Sequence, residues 1–354
     1  MQSQFKGARV VVVGGAGFVG SNLVEQLLAA SPSEVVIVDN LLSADRINVP
    51  DHPSVRFIEG SIADDRILTQ LPPSTHYVFH LACYHGNQSS IADPLADHDN
   101  NLITSLKLFR YLSKVKDLRK VVYAAAGCAV AKKTRDEPAA TSEDAPVELF
   151  HDSPYSISKL VGEMYGNYFF RRAGLPFVKA RFQNVYGPRE ILGAGRWRGT
   201  PHTVWRNVTP TFVFKSLHRE ALPLINGGQD GRDFIYVGDL CRGLLHCAAL
   251  GEPGEAYNLA TGLETRIIDL ATTINGLTKN PTPAAVEPPR DWDNSGRRYG
   301  DPTKSREKLG FIADTGLEQG LATTIDWTKR NLDIIKQCMA RHANRVPDVA
   351  RYTS

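Results

Sequence analysis

Within residues 8–14, ARVVVVG, four valines follow Arg9 without a polar break. A strand with one wet face would alternate, so this pattern predicts a strand covered on both faces. A helix is predicted from about Phe18 to Ala30, followed by the strand EVVIVD over 34–39. Further strands are predicted at 55–60, 76–82, 120–126 and 176–182, with helical patterns between them near 95–115 and 154–173. Strand and helix alternating over this length imply a parallel, doubly wound α/β sheet.

After Val185 the pattern changes. Gly, Pro, Trp and Arg crowd into GPREILGAGRWRGTPHTVWRNVTP and regular alternation stops. The expected organisation is a first domain of residues 1–185 plus about 230–261, in which DFIYVGDLCRGLLHCAAL returns to the sheet. A smaller α/β lobe takes 186–229 plus about 262–335, and a tail, 341–354, is expected to fray.

Composition narrows the picture only a little. The 354 residues are 42% hydrophobic and 22% charged, and the net charge of +3 makes no case for nucleic acid. No run of about 18 apolar residues is present, so no membrane contact is expected. The five cysteines form no CxxC pair, the ten histidines show no HxH spacing, and the one HxxxH pair, His76 and His80, falls inside a predicted strand, so no metal site is expected. With no apolar signal core at the start, the cysteines read as reduced thiols of a cytoplasmic protein.

Two motifs carry chemistry. Gly14, Gly17 and Gly20 fall between the first strand and first helix, where glycines let a pyrophosphate approach unpaired helical N–H groups. Asp39 ends the second strand, where a carboxylate accepts ribose hydroxyls and repels a 2′-phosphate, favouring NAD over NADP. Further on, SPYSISK sets Tyr155 and Lys159 four residues apart, on one helix face. A phenol needs a downward shift of about 3 units to act as a base near neutrality, and a nearby ammonium with the positive nicotinamide is expected to favour it.

The motifs GGAGFVGS, VDN, FHLA, NNLITS, YSISK, RFQNVYGP, GRDFIYVGDL and GDPTKSREKLGF occur in an order that resembles the extended short-chain dehydrogenase/reductase superfamily, and within it the nucleotide-sugar epimerase/dehydratase group. The likeness runs from about Arg9 to Trp327. It implies a Rossmann-type domain binding NAD through Gly14, Gly17, Phe18, Val19, Asp39, Asn40, Ile62, Leu81, Tyr155 and Lys159. It implies a nucleoside-diphosphate sugar in the cleft, and a homodimer built on the helices near 95–115 and 154–173. Tyr155 becomes the general base and Lys159 its partner. Asn184, Arg232 and Arg298 become substrate contacts at the phosphates, with Arg297 a rival for Arg298. Ser61 stands where the family usually has an acid beside the adenine.

The stretch VVYAAAGCAVA departs further. In the family this strand usually delivers a Ser or Thr to the sugar 4-hydroxyl, and here Ala126 takes that substrate-facing place. Cys128 follows two residues later. It resembles the second base of GDP-sugar 3,5-epimerases such as the GDP-mannose enzyme, where a thiolate removes protons beside a transient ketone. A small buried side chain at a strand end is the competing account. The loop 189–206, with Arg189, Arg196, Arg198, Arg206, Trp197 and Trp205, reads as a substrate lid or as a solvated loop with structural tryptophans. Arg206 and Asn207 match the family's acid imperfectly, and His85 reads as a loop histidine without a role. The leading expectation is an NAD-dependent isomerase acting through a 4-keto sugar, like UDP-glucose or UDP-glucuronate 4-epimerases. The alternatives are a Cys128-dependent 3,5-epimerase, a 4,6-dehydratase, disfavoured because AAAGCAVA holds no acid, and a catalytically silent NAD-binding regulator.

Overall fold

Six strands follow one another with helices between them, as the apolar pattern predicts: β1 (Arg9–Val13), β2 (Glu34–Asp39), β3 (Val55–Glu59), β4 (Tyr77–His80), β5 (Lys120–Ala126) and β6 (Phe177–Phe182). The structure, a computed structural model, describes residues 2–127, 139–293 and 296–352. A further strand, Ala256–Leu259, pairs with β6 at the sheet edge, giving the order β3-β2-β1-β4-β5-β6 and then Ala256–Leu259. All six pairings are parallel. The chain runs outward from β1 to β3 and then crosses back to β4 on the other side of β1. A crevice therefore opens at the C-terminal ends of β1 and β4, the place where ligands bind in such sheets.

The valines of β1 explain the apolar run. Val10 and Val12 join one core with Leu23, Leu27, Leu240 and Leu244, whereas Val11 and Val13 join a second core with Phe109, Tyr123 and Phe177. Both faces are dry, and each buried valine contributes on the order of 1.5–3 kcal/mol. The returning segment behaves as expected: helix Val237–Leu250 packs on the first face and leads to the edge strand. A third core, with Tyr186, Phe212, Leu224, Leu270 and Leu321, fills the smaller lobe, which contains the short parallel pair Pro223–Ile225 with Ala285–Glu287.

One expectation gains detail and one needs correction. The helical stretch expected near 95–115 is present as three contiguous pieces, Pro94–Asp97, a wide π turn at His98–Ile103, and Thr104–Leu112, preceded by a short helix at Asn87–Ala92. Asp93 caps the Pro94 turn by accepting from Ala96 N–H at 2.9 Å, and proline opens the new helix. Asn101, inside the π turn, accepts from Tyr84 N–H at 2.7 Å and donates to Ser158 Oγ at 3.1 Å. The tail also does not fray as far as it is described. Helix Leu332–Ala340 and a turn at Pro347–Tyr352 bury Ile335, Met339, Val346, Val349 and Tyr352 against Ile191, Leu192, Val204 and Phe214. His342 donates to Gly193 O at 3.0 Å and Arg341 pairs with Asp45 at 2.6 Å.

Candidate active site

The crevice is a cavity of about 390 Å³ that touches both lobes. Its nucleotide end is built by the turn from β1 into helix α1 (Phe18–Ala29). A Cβ at Gly20 would fall on the Gly14 carbonyl, and one at Gly14 would press on the Ala82 backbone. Only glycine permits this approach. Gly17 caps α1 without any side-chain hydrogen bond, leaving first-turn N–H groups toward the cavity, a donor set that fits a pyrophosphate. Asp39 is buried, its Oδ2 accepting from Ala16 N–H at 3.1 Å and its Oδ1 from Leu41 N–H at 2.9 Å. Burial pushes its carboxyl up, opposed by these backbone donors. Gly14, Gly17, Phe18, Val19, Asp39, Asn40, Ile62 and Leu81 all line the cavity, as does Ser61.

The middle of the cavity belongs to helix Pro154–Ala173. Ser153 caps it by accepting from Ser156 N–H at 3.3 Å, Pro154 begins it, and Gly174 ends it in the left-handed region. Gly162 lies against the Tyr123 ring and Gly166 against Phe177, so the helix sits close on the sheet. Glu163 and Arg181 lock it to β6 through two hydrogen bonds of 3.0 and 2.9 Å. This fixes Tyr155 and Lys159 at the cavity wall. Lys159 Nζ donates to Ala124 O at 2.9 Å and stands 5.8 Å from the Tyr155 ring centre. One of the three hydrogens of its ammonium is thus given to β5, and the expected lowering of the Tyr155 phenol is not found in the protein alone. Burial pushes the phenol well above its ordinary value, helped by Cys83, Tyr123 and Asp97. Cys83 lies within hydrogen-bonding reach of that phenol. Ala126 lines the cavity at the end of β5 and offers no hydroxyl; Cys128 lies outside the described residues.

Asn184, Arg232 and Arg298 line the far end. Arg232 donates to Gly231 O at 2.8 Å and pairs with Asp293 at 3.8 Å. Arg297 instead forms a bidentate pair with Glu264, at 2.8 and 2.6 Å, and does not line the cavity. Of the two arginines, Arg298 is the one on the cavity wall.

The loop 189–206 is not a lid of waiting arginines. Arg189 pairs with Glu25, Arg196 donates to Asn40 O at 2.6 Å, Arg198 to His85 O at 2.6 Å, and Arg206 to Ser43 O at 2.6 Å. Trp197 lies tilted against His342 and Trp205 packs with Phe214 and Tyr352. These side chains fasten the loop to the sheet domain and to the tail.

Sequence reasoning passed over the groups that this fastening brings in. His85, read as having no role, lines the cavity with its ring edge-on to Tyr155, centroids 5.9 Å apart. Its Nε2 is 3.1 Å from Asn207 Oδ1, and Asn207 Nδ2 donates to Glu190 Oε1. Glu190 is 6% exposed, its Oε2 has no partner among the described residues, and burial pushes its carboxyl up to about 7. Position 190, directly after NVYGPR, was the available signal.

Comparison with known proteins agrees with this geometry. A family model described as the NAD dependent epimerase/dehydratase family matches residues 10–260. The chain is 56% identical to the Bordetella bronchiseptica enzyme WbmF, crystallised in complex with NAD+ and UDP, with a TM-score of 0.88 over 97% of this chain and 98% of that one. It is 30% identical over 325 residues to the UDP-glucose 4-epimerase of Mycolicibacterium smegmatis, covering 90% of this chain and 98% of the other. It is also 29% identical over 338 residues to the dTDP-glucose 4,6-dehydratase of Streptomyces antibioticus, covering 91% and 92%.

Proposed function

The chain belongs to the NAD dependent epimerase/dehydratase family, and from that premise we propose that it epimerises a nucleoside-diphosphate sugar, with UDP as the nucleotide, through a transient 4-keto sugar. One observation carries the reading. A single cavity holds the glycine cradle with Asp39 at one end, Tyr155 and Lys159 in the middle, and Asn184, Arg232 and Arg298 at the other. The order matches a cofactor, a reacting sugar carbon and a diphosphate. UDP is preferred because it is bound in WbmF, at 56% identity.

NAD, when bound, supplies a hydride acceptor that later returns the hydride. The remaining work belongs to the chain. Tyr155, its phenolate favoured by the positive charge that bound NAD would bring, takes the proton of the sugar 4-hydroxyl and gives it back, and Lys159 holds the ribose side of the site. Arg232 and Arg298 grip the diphosphate by charge-assisted hydrogen bonds while the sugar turns to present its other face. Dehydration is disfavoured because no acid stands in AAAGCAVA to remove a C5 proton. A second copy of the chain docks on helix Pro154–Ala173, whose Ile157, Met164, Tyr165 and Tyr168 are exposed.

Turnover of UDP-glucose, UDP-N-acetylglucosamine and UDP-glucuronate in deuterated water, followed by NMR, tests the proposal. The expected product is inverted at C4 and free of solvent deuterium. Tyr155→Phe should slow it by about 10²-fold or more. Deuterium at C3 or C5 that vanishes in Cys128→Ala would transfer the reading to a 3,5-epimerase. NAD binding without turnover of any sugar would favour the silent regulator.

A further inference from the structure

His85 is built into the cavity wall with more care than a bystander needs. Its carbonyl accepts from Arg198 at 2.6 Å, and the N–H of the preceding Tyr84 is held by Asn101 at 2.7 Å. The ring is fixed as well. Asn207 Nδ2 donates to the Glu190 carboxyl, so Asn207 Oδ1 is the atom that faces His85 Nε2 at 3.1 Å. An amide oxygen only accepts, so the hydrogen sits on Nε2 and Nδ1 keeps its lone pair, on a side chain that lines the cavity. Asparagine does not relay protons. The Glu190–Asn207 arm therefore orients the imidazole and does not carry a proton to or from it.

The groups facing His85 set its charge. Tyr155 borders it from helix Pro154–Ala173, and Glu190, Arg198, Arg206 and Asn207 reach it from the loop region. Burial lowers its tendency to protonate, as do Arg198 and Arg206, whereas the Asn207 bond and Glu190 act the other way. The net direction is downward, so the ring is neutral and an acceptor near neutral pH. Across the site, Ala126 leaves the reacting sugar without the hydroxyl side chain expected there.

Resting on the epimerase reading above, we propose that His85 contacts the substrate. Its Nδ1 accepts a hydrogen bond from a donor beside the C4 hydroxyl, a hydroxyl or acylamino group at C3 or the C6 hydroxyl. Asn207 and Glu190 are its positioning residues. This bond fixes the ring so that the C4 hydroxyl itself points at Tyr155. The enzyme thereby selects sugars with a donor at that place and discriminates against the deoxy sugar.

The test compares UDP-glucose with UDP-3-deoxyglucose and UDP-6-deoxyglucose in the wild type and in His85→Phe, which keeps a ring against Tyr155. In the wild type one deoxy sugar should lose about 10-fold or more in kcat/KM, and His85→Phe should erase that difference by slowing UDP-glucose alone. His85→Asn, whose Oδ1 falls near the place of Nδ1, should recover part of the loss. For UDP-glucose the wild-type kcat/KM should fall on the acid side as His85 protonates, and His85→Asn should lack that limb. Equal deoxy penalties in wild type and His85→Phe would overturn the proposal. A readout independent of turnover is ¹⁵N NMR of histidine-labelled protein with NAD bound. The expected His85 is neutral with its hydrogen on Nε2, and it responds to UDP-glucose but not to UDP. A hydrogen on Nδ1, or the same response to both ligands, would sink the idea even if no sugar were turned over. Failure of turnover with a correct tautomer and a sugar-dependent response would count against the epimerase reading alone.

Discussion

Arg181 and Glu163 form the ion pair that holds the tyrosine-bearing helix to β6, with side-chain exposures of only 11% and 5%. Replacing Arg181 by methionine keeps the bulk and strands a buried carboxylate. The expected cost is about 3–5 kcal/mol, visible as a lower midpoint in urea or heat, because the unpaired charge loses its partner without regaining water. Residues of this kind were hidden from the sequence, as were His85, Asn207 and Glu190. Their partners lie 17 to 122 positions away, and no local spacing announces a contact made by folding. Gly14, Gly17, Asp39, Tyr155 and Lys159 were legible for the opposite reason. Each motif is confined to one turn, one strand end or one helix face, so the local geometry is written in the spacing itself. The charge state of Tyr155 was not legible, since it depends on how deeply the phenol is buried.

At the level of elements, apolar runs and caps place the strands and the Pro154–Ala173 helix within a residue or two, because a doubly covered strand has no other way to look. The tail was misread. Its apolar residues find their partners in the loop 189–206, a segment without periodicity, so neither half displays its core alone. Helix packing also sets opposite fates for two helical glycines. At Gly166 a methyl group would overlap the Phe177 ring, whereas at Gly276 nothing lies within 4 Å. Gly→Ala raises helix propensity by up to about 1 kcal/mol at either place. At Gly276 that gain should stand and raise the melting temperature. At Gly166 overpacking of about 1–3 kcal/mol should outweigh it. The displaced helix should then lower turnover as well, and a Gly166→Ala variant as stable as the wild type would contradict the close packing.

For the molecule as a whole, the exposed apolar side chains of helix Pro154–Ala173, with Met164 53% and Tyr168 57% accessible, are the surface we assign to a second copy. Met164→Glu with Tyr168→Glu places charges in that face without touching the cavity. Sedimentation should show a dimer for the wild type and a monomer for the double variant, with cofactor binding kept. A wild type that sediments as a monomer would remove this part of the proposal.

The stapled loop has a consequence for how the molecule is completed in time. Residues 40–43, which follow Asp39 at the edge of the cavity, are held by Arg196 and Arg206, and the loop bearing those arginines is itself backed by Leu332–Ala340 and Pro347–Tyr352. A chain emerging from the ribosome can pair every strand of its main sheet while the mouth of the nucleotide site still lacks its backing. The door is thus shut late, because the latch, Leu332–Ala340 with Pro347–Tyr352, is made after every strand of the main sheet. A chain stopped after Ala340 should fold its sheet, with far-ultraviolet circular dichroism close to normal, yet release NAD faster than the intact protein. Equal release rates, measured by displacement of bound cofactor, would show that the latch holds nothing.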